Sequence, residues 1–150
     1  MKFKVITPAH AYYRNELMLR WELLRKPLGM PPGSEVIPEE KECLHLLVMD
    51  LKKVVGCLVF HPDTHSTGTL KQVALSHDCG GHGFGRKVVH ALEIELIKKG
   101  ITEIQVFAPK DLEGFYESCG FHAEGEVIDS TGLLALKMKK HVVHEALKSA

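Results

Sequence analysis

The sequence predicts an α+β fold, a mixed and mostly antiparallel central sheet of about seven strands flanked by helices. Three observations predict it. Apolar runs at residues 43–50, 53–61 and 69–76 are separated by turn-forming residues, as in an antiparallel meander. A strand, a long amphipathic helix and a second strand then fill residues 69–107, the pattern of a crossover between parallel strands. Two further strands, 121–128 and 133–139, close the sheet.

Each element follows from its residues. Residues 1–6 alternate well enough for a first strand, and Thr7-Pro8 breaks it. The helix that follows has its apolar stripe at Tyr13, Leu17, Trp21 and Leu24 and should end near Lys26. Residues 27–42 change to Pro, Gly and charge, which predicts a long surface loop of the kind that often carries function. Leu51-Lys52 is a tight turn between the first two meander strands. The helix over 83–99 puts Val88, Val89, Leu92 and Leu96 on one face, with Gly100 in the terminating position. After the strand at 104–107, Asp111 is read as the cap of a short helix with a Leu112, Phe115, Tyr116, Cys119 stripe, stopped by Gly120. The tail 141–150 is compatible with a short helix or with fraying.

With 150 residues, 45% hydrophobic and 25% charged, the chain fits a single domain, 1–150. Nineteen basic and nineteen acidic side chains cancel, so the composition lacks the footprint of a nucleic-acid or anionic-membrane binder. The run from Cys43 to Met49 is interrupted by His45 and falls far below the ~20 apolar residues that span a bilayer. Four cysteines without a Cys-x-x-Cys pair, and no basic leader before an apolar core, lead us to expect a reduced, cytoplasmic protein.

The most informative segment joins the third meander strand to the long helix. Between Val73-Ala74-Leu75 and Val88 stand Gly80, Gly81, His82, Gly83, Phe84, Gly85 and Arg86. With so little side chain, several backbone N–H groups can approach one anion above the positive end of the helix dipole. Two known phosphate loops do not fit. A Walker A loop needs Gly-Lys-Ser/Thr, whereas Arg86-Lys87 follows Gly85; a Rossmann fingerprint begun at Gly81 needs glycine where Arg86 stands.

The spacing that fits is Arg/Gln-x-x-Gly-x-Gly/Ala, and in this the chain resembles the GCN5-related N-acetyltransferases (GNAT). A second motif of that family, Phe-Tyr-x-x-x-Gly-Phe, is matched by Phe115-Tyr116-Glu117-Ser118-Cys119-Gly120-Phe121. The order of elements agrees over residues 1 to about 140. One departure is Gly80, which stands where the family usually has Arg or Gln. The resemblance implies a sheet splayed between its two parallel strands and a glycine loop that holds the pyrophosphate of acetyl-coenzyme A, a co-substrate, without metal. It further implies a pantetheine arm paired with the edge of Val73, Ala74 and Leu75, an Ala74 N–H that polarises the thioester carbonyl, and Tyr116 as the acid that protonates the departing thiolate. The expected reaction is acetyl transfer to the amine of a small molecule, by direct attack in a ternary complex.

Other roles stay open at this point. His61/His65, His77/His82 and His141/His144 lack companions at metal-ligand spacing, which argues against zinc. His82 is read either as a neutraliser of phosphate or as a solvated loop residue. Gly125-Glu126-Val127-Ile128-Asp129 looks like the glyphosate N-acetyltransferase type, whose closing-strand histidine falls at Leu134 here. That role is not carried over, and the base is water or a carboxylate such as Glu22 or Glu42. Arg25, Lys71 and Lys110 lie near places where that subgroup binds an anionic substrate, while their simplest explanation is solvated surface charge. A non-catalytic acyl-coenzyme A binder of the same fold is the rival reading. No nucleic-acid or membrane partner is expected, and a homodimer is compatible with a small enzyme.

Overall fold

The computed structural model describes residues 1–79, 83–129 and 132–142. Seven strands form one sheet in the order β1-β2-β3-β4-β5-β7-β6. They are β1 (Lys2–Ile6), β2 (Leu44–Asp50), β3 (Lys53–Pro62), β4 (Thr67–Leu75), β5 (Glu103–Pro109), β6 (His122–Ile128) and β7 (Leu134–His141). The helices are α1 (Tyr13–Arg20), α2 (Phe84–Lys98) and α3 (Glu113–Ser118). The expected fold class is therefore observed. By packing, the chain divides into one unit of Met1–His61 with Lys71–Val88 and another of Pro62–Leu70 with Val89–Ala150. The divisions fall at the end of β3 and inside β4 and α2.

In the first unit, β1 pairs antiparallel with β2 and β2 with β3. β2 and β3 are buried along nearly their whole length, which explains why their sequences read as continuous apolar runs rather than as alternation. The core beneath α1 joins Ile6, Leu19, Leu47, Met49, Val54, Cys57 and Ala74, with Tyr12, Tyr13 and Leu24 packed against it. Here the expected first helix needs correction. It is regular only to Arg20, continues as a π-helical turn over Trp21–Arg25, and ends in a 3₁₀ turn over Lys26–Leu28. Its buried residues are Glu16, Leu19 and Arg20, whereas Tyr13, Leu17, Trp21 and Leu24 are only half-buried. The apolar stripe marks the flank of the buried face, and its centre is charged.

In the second unit, Thr67 to Leu70 of β4 pair parallel with Glu103 to Val106 of β5, as the crossover pattern requires. β5 then pairs antiparallel with β7, and β7 with the exposed strand β6. Leu92 and Leu96 of α2 are fully buried, and Gly100 follows the helix as expected. Buried Glu93 of α2 receives an ion pair from Lys140 of β7, 2.6 Å away. The start of α3 also differs from expectation. Asp111 does not cap it: Lys110–Leu112 form a 3₁₀ turn, and α3 begins at Glu113 without a side-chain cap. The tighter turn winds the chain into α3, so no Asp111 side chain is needed to start it.

Candidate active site

The strand that leads to the glycine loop is the natural starting point. On a pleated strand alternate residues share a face, so Gln72 and Ala74 lie together, opposite Lys71, Val73 and Leu75. Gln72 and Ala74 are buried, Val73 and Leu75 half-buried, and Lys71 exposed. The parallel register of β4 with β5 ends at Leu70↔Val106. Val73, Ala74 and Leu75 therefore lie beyond the last pair of that register, so their main-chain groups on that edge are not committed to it.

After Leu75 the chain folds down onto β3. Ser76 N–H donates to the Val55 carbonyl at 3.0 Å, and the Cys79 thiol to the same oxygen at 2.8 Å. Gly56 makes this approach possible, because a Cβ there would lie 2.8 Å from Cys79 Sγ and 2.9 Å from Leu75 Cδ2. Burial pushes the Cys79 thiol up from its ordinary value, so it acts as an anchor and not as a nucleophile. Gly80, Gly81 and His82, all expected phosphate-loop residues, lie outside the described residues. Gly83 has φ +84°, a left-handed conformation that costs a residue with a side chain roughly 1–2 kcal/mol. It turns the chain into α2, whose first residues are Phe84, Gly85 and Arg86. Phe84 stacks on Phe3 of β1 with ring centroids 6.3 Å apart, and Arg86 and Lys87 are exposed. The first-turn amides of a helix have no partners within it, so this end suits an anion.

A second feature of the first unit escaped the sequence reading. Arg20 is fully buried and donates to Glu16 at 2.8 Å, to both carboxylate oxygens of Glu40 at 2.9 and 2.6 Å, and to the Glu35 carbonyl at 2.6 Å. Tyr13 O–H donates to Glu40 at 2.6 Å, while buried His45 meets Glu16 through Nδ1 at 2.8 Å and the Glu40 carbonyl through Nε2 at 2.8 Å. Glu16, Glu40 and His45 have ligand-type atoms within 4.8 Å of one another, but the Arg20 guanidinium already supplies the positive charge between the carboxylates. Arg20 Nε has no partner among the described residues. Two more side chains of the same helical segment hold the loop: Trp21 Nε1 donates to the Met30 carbonyl at 3.0 Å and Arg25 Nε to the Ser34 carbonyl at 3.2 Å. The loop over 29–42 is thus tied to α1 and its π-helical extension at successive points. The signal for this cluster in the sequence is His45, the lone polar residue inside an apolar strand.

Burial alone would raise the Glu40 pKa, but hydrogen bonds from Arg20, the Ile37 N–H and Tyr13 outweigh it and hold the carboxyl down at about 2. Burial would lower His45, and the Glu16 carboxylate beside it reverses the sign, so its pKa is raised. The Glu40 contribution is present above the ordinary value of 4.5 and fades as pH falls through about 2. That of His45 is complete below 6.5 and is lost as pH rises through its raised value. We therefore expect the stability gap between wild type and Glu40→Gln to shrink steadily from pH 4.5 toward pH 2. Chemical unfolding at stepped pH measures it, and a constant gap would contradict the assignment.

In the second unit, Tyr116 of α3 is buried between Phe115 and Phe121, whose ring centroids lie 5.1 and 5.4 Å away in edge-to-face contact. Burial, followed by the neighbouring Cys119, raises its pKa and keeps the phenol protonated. Gly120 lets the chain turn back and place Phe121 on Tyr116, through Phe121 N–H to the Tyr116 carbonyl at 3.0 Å. Lys110 pairs with Glu126 at 3.1 Å, both exposed. Leu134 opens β7 and is exposed; Glu22 and Glu42 are exposed as well.

The seven-stranded mixed sheet with the long helix α2 between the parallel strands β4 and β5 is the arrangement that the GNAT resemblance implies. The acetyltransferase (GNAT) domain family matches residues 33–142, and the chain belongs to it. It is similar to an uncharacterised acetyltransferase of Streptococcus pyogenes serotype M1, 24% identical over 111 residues that cover 69% of this chain and 78% of that one. The GCN5-related N-acetyltransferase 2, chloroplastic, of Arabidopsis thaliana is 30% identical over 77 residues, which are 51% of this chain and only 30% of the plant protein. An aminoglycoside 6′-N-acetyltransferase solved with coenzyme A superposes with a TM-score of 0.76 at 17% identity, over 96% of this chain and 98% of that one. Among the described residues no helix is long and apolar enough to cross a membrane.

Proposed function

We propose that this protein transfers the acetyl group of acetyl-coenzyme A to the amine of a small molecule, by direct attack in a ternary complex. The observation that carries the reading is β4, which runs on through Val73, Ala74 and Leu75 after its parallel register has ended at Leu70. In this reading the edge of those three residues holds the pantetheine arm, and the Ala74 N–H polarises the thioester carbonyl. The backbone of Gly80, Gly81, His82, Gly83, Phe84 and Gly85, with Arg86, holds the pyrophosphate. The acceptor nitrogen attacks the thioester carbon and loses a proton to water or to a carboxylate such as Glu22 or Glu42, the carbon–sulfur bond breaks, and Tyr116 gives its phenolic proton to the departing thiolate and regains one from solvent.

Supporting a small-molecule acceptor is the likeness to an aminoglycoside-modifying enzyme. Arg25, Lys71 and Lys110 are assigned to the acceptor side, in keeping with the glyphosate-type resemblance, although Arg25 is also engaged with the loop and Lys110 with Glu126. Four buried free cysteines support a reducing compartment such as the cytoplasm. Thiol release from acetyl-coenzyme A across amino acids, polyamines, aminoglycosides and peptide N-termini tests the proposal. One class of amine should raise release well above spontaneous hydrolysis. Coenzyme A binding without stimulation by any amine would favour the non-catalytic binder, and preference for ATP would overturn the site assignment itself.

A further inference from the structure

Lys140 is a cation on an apolar face. Along β7 it shares a side of the strand with buried Leu136 and Met138, and its main chain lies opposite buried Ile104 of β5. Its side chain is only 22% exposed, and a lysine is kept in such a place where something holds its ammonium. Two groups do. Nζ meets the carboxylate of Glu93, a side chain 4% exposed on α2, at 2.6 Å, and it donates to the carbonyl of Cys119, the residue that ends α3. Gly120 leaves room for the second contact: it has φ +93°, and a Cβ there would stand 3.1 Å from Lys140 Cε and 3.2 Å from Nζ. The chain turns out of α3 where the ammonium comes in. At its other end α3 starts without a side-chain cap, and Ser118 bonds back to Phe115 within the helix itself. A cation at the C-terminal end meets carbonyls that the helix leaves without partners and the negative end of its dipole. In the same turn Cys119 N–H and Phe121 N–H both donate to the Tyr116 carbonyl at 3.0 Å, so the Lys140 contact and the Tyr116 backbone belong to one hydrogen-bonded unit.

Resting on the acetyltransferase reading, we infer that Lys140 is a positioning residue for Tyr116: with Glu93 holding its ammonium, it clamps the Cys119 carbonyl and so fixes the end of α3 from which the phenol is aimed at the departing thiolate. Lys140 touches no reacting atom and moves no proton. Its effect comes through the geometry of proton donation, for which a displacement of about 1 Å can cost up to about 100-fold in rate. Neutralising Glu93 would need only the first of its two contacts; the second reaches the helix that carries the acid.

Lys140→Met alone would strand the Glu93 carboxylate in the core. The test therefore uses the pair Glu93→Gln, Lys140→Met, which removes both charges and keeps both lengths, in the wild-type and in the Tyr116→Phe background. With acetyl-coenzyme A and the amine that gives the fastest thiol release, the pair should lower kcat about 10- to 30-fold and leave the KM for acetyl-coenzyme A within about twofold. In the Tyr116→Phe background the same pair should change kcat by less than about twofold, because the group it positions is already gone. A merely structural pair would lower kcat by the same factor in both backgrounds, and that result overturns the inference, as does an unchanged kcat in the wild-type background. Should the pair not fold, Glu93→Gln alone keeps Lys140 and weakens its hold; it should lower kcat about threefold with Tyr116 present and leave it unchanged without, and equal losses again overturn the inference. If wild type releases no thiol with any amine, the acetyltransferase reading fails and takes this one with it. If wild type turns over and Tyr116→Phe matches it, the acid assignment falls and this inference with it; if only the two-background comparison fails, the role of Lys140 fails alone.

Discussion

Replacing Arg20 with methionine is expected to cost the fold about 3–5 kcal/mol, the usual loss when one member of a buried ionic cluster is removed. The side chains of Arg20 and Glu16 are fully buried and that of Glu40 is 9% exposed. Without the guanidinium, Glu16 keeps only His45, Glu40 keeps only Tyr13 and the Ile37 N–H, and the Glu35 carbonyl loses its donor. Single domains are stable by about 5–15 kcal/mol, so this one change removes a large share. Urea unfolding measures it, and a variant within about 1 kcal/mol of wild type would show that the cluster contributes nothing net. The triple change Glu16→Gln, Arg20→Met, Glu40→Gln should recover much of the loss, because it removes the stranded charges along with their partner.

Tyr116→Phe should lower kcat by about 10²–10³ while leaving coenzyme A affinity nearly unchanged. Phenylalanine keeps both edge-to-face contacts, with Phe115 and with Phe121, so the packing of α3 survives. What is lost is one phenolic O–H, which burial keeps in its neutral, protonated form. Rate and binding must be measured together on the same preparation. A kcat within about threefold of wild type would remove Tyr116 from the mechanism, and a parallel collapse of coenzyme A binding would mean that its role is packing.

The parts of this protein legible in one dimension were those set by short-range rules. Apolar runs placed the meander, the parallel crossover and the closing strands within a few residues, and the glycine spacing with Phe115-Tyr116 pointed to the family. Errors arose where the local pattern was ambiguous. The stripe of Tyr13, Leu17, Trp21 and Leu24 has the right period, yet the face it borders is centred on Glu16 and Arg20. Asp111 stands before a helix and looks like a cap, but the chain enters α3 through a 3₁₀ turn.

The sequence by itself determined the strands, the long helix, the glycine turn and the family, because periodicity and backbone freedom are properties of neighbouring residues. Only the tertiary structure decided that Arg20 is buried against Glu40, 20 residues away, that His45 meets Glu16 from 29 residues away, and that the Gln72 oxygen has no partner among the described residues. The reason is electrostatic. A charge or an amide is tolerable in a core only when a distant residue compensates it, and distance along the chain carries no record of who that partner is.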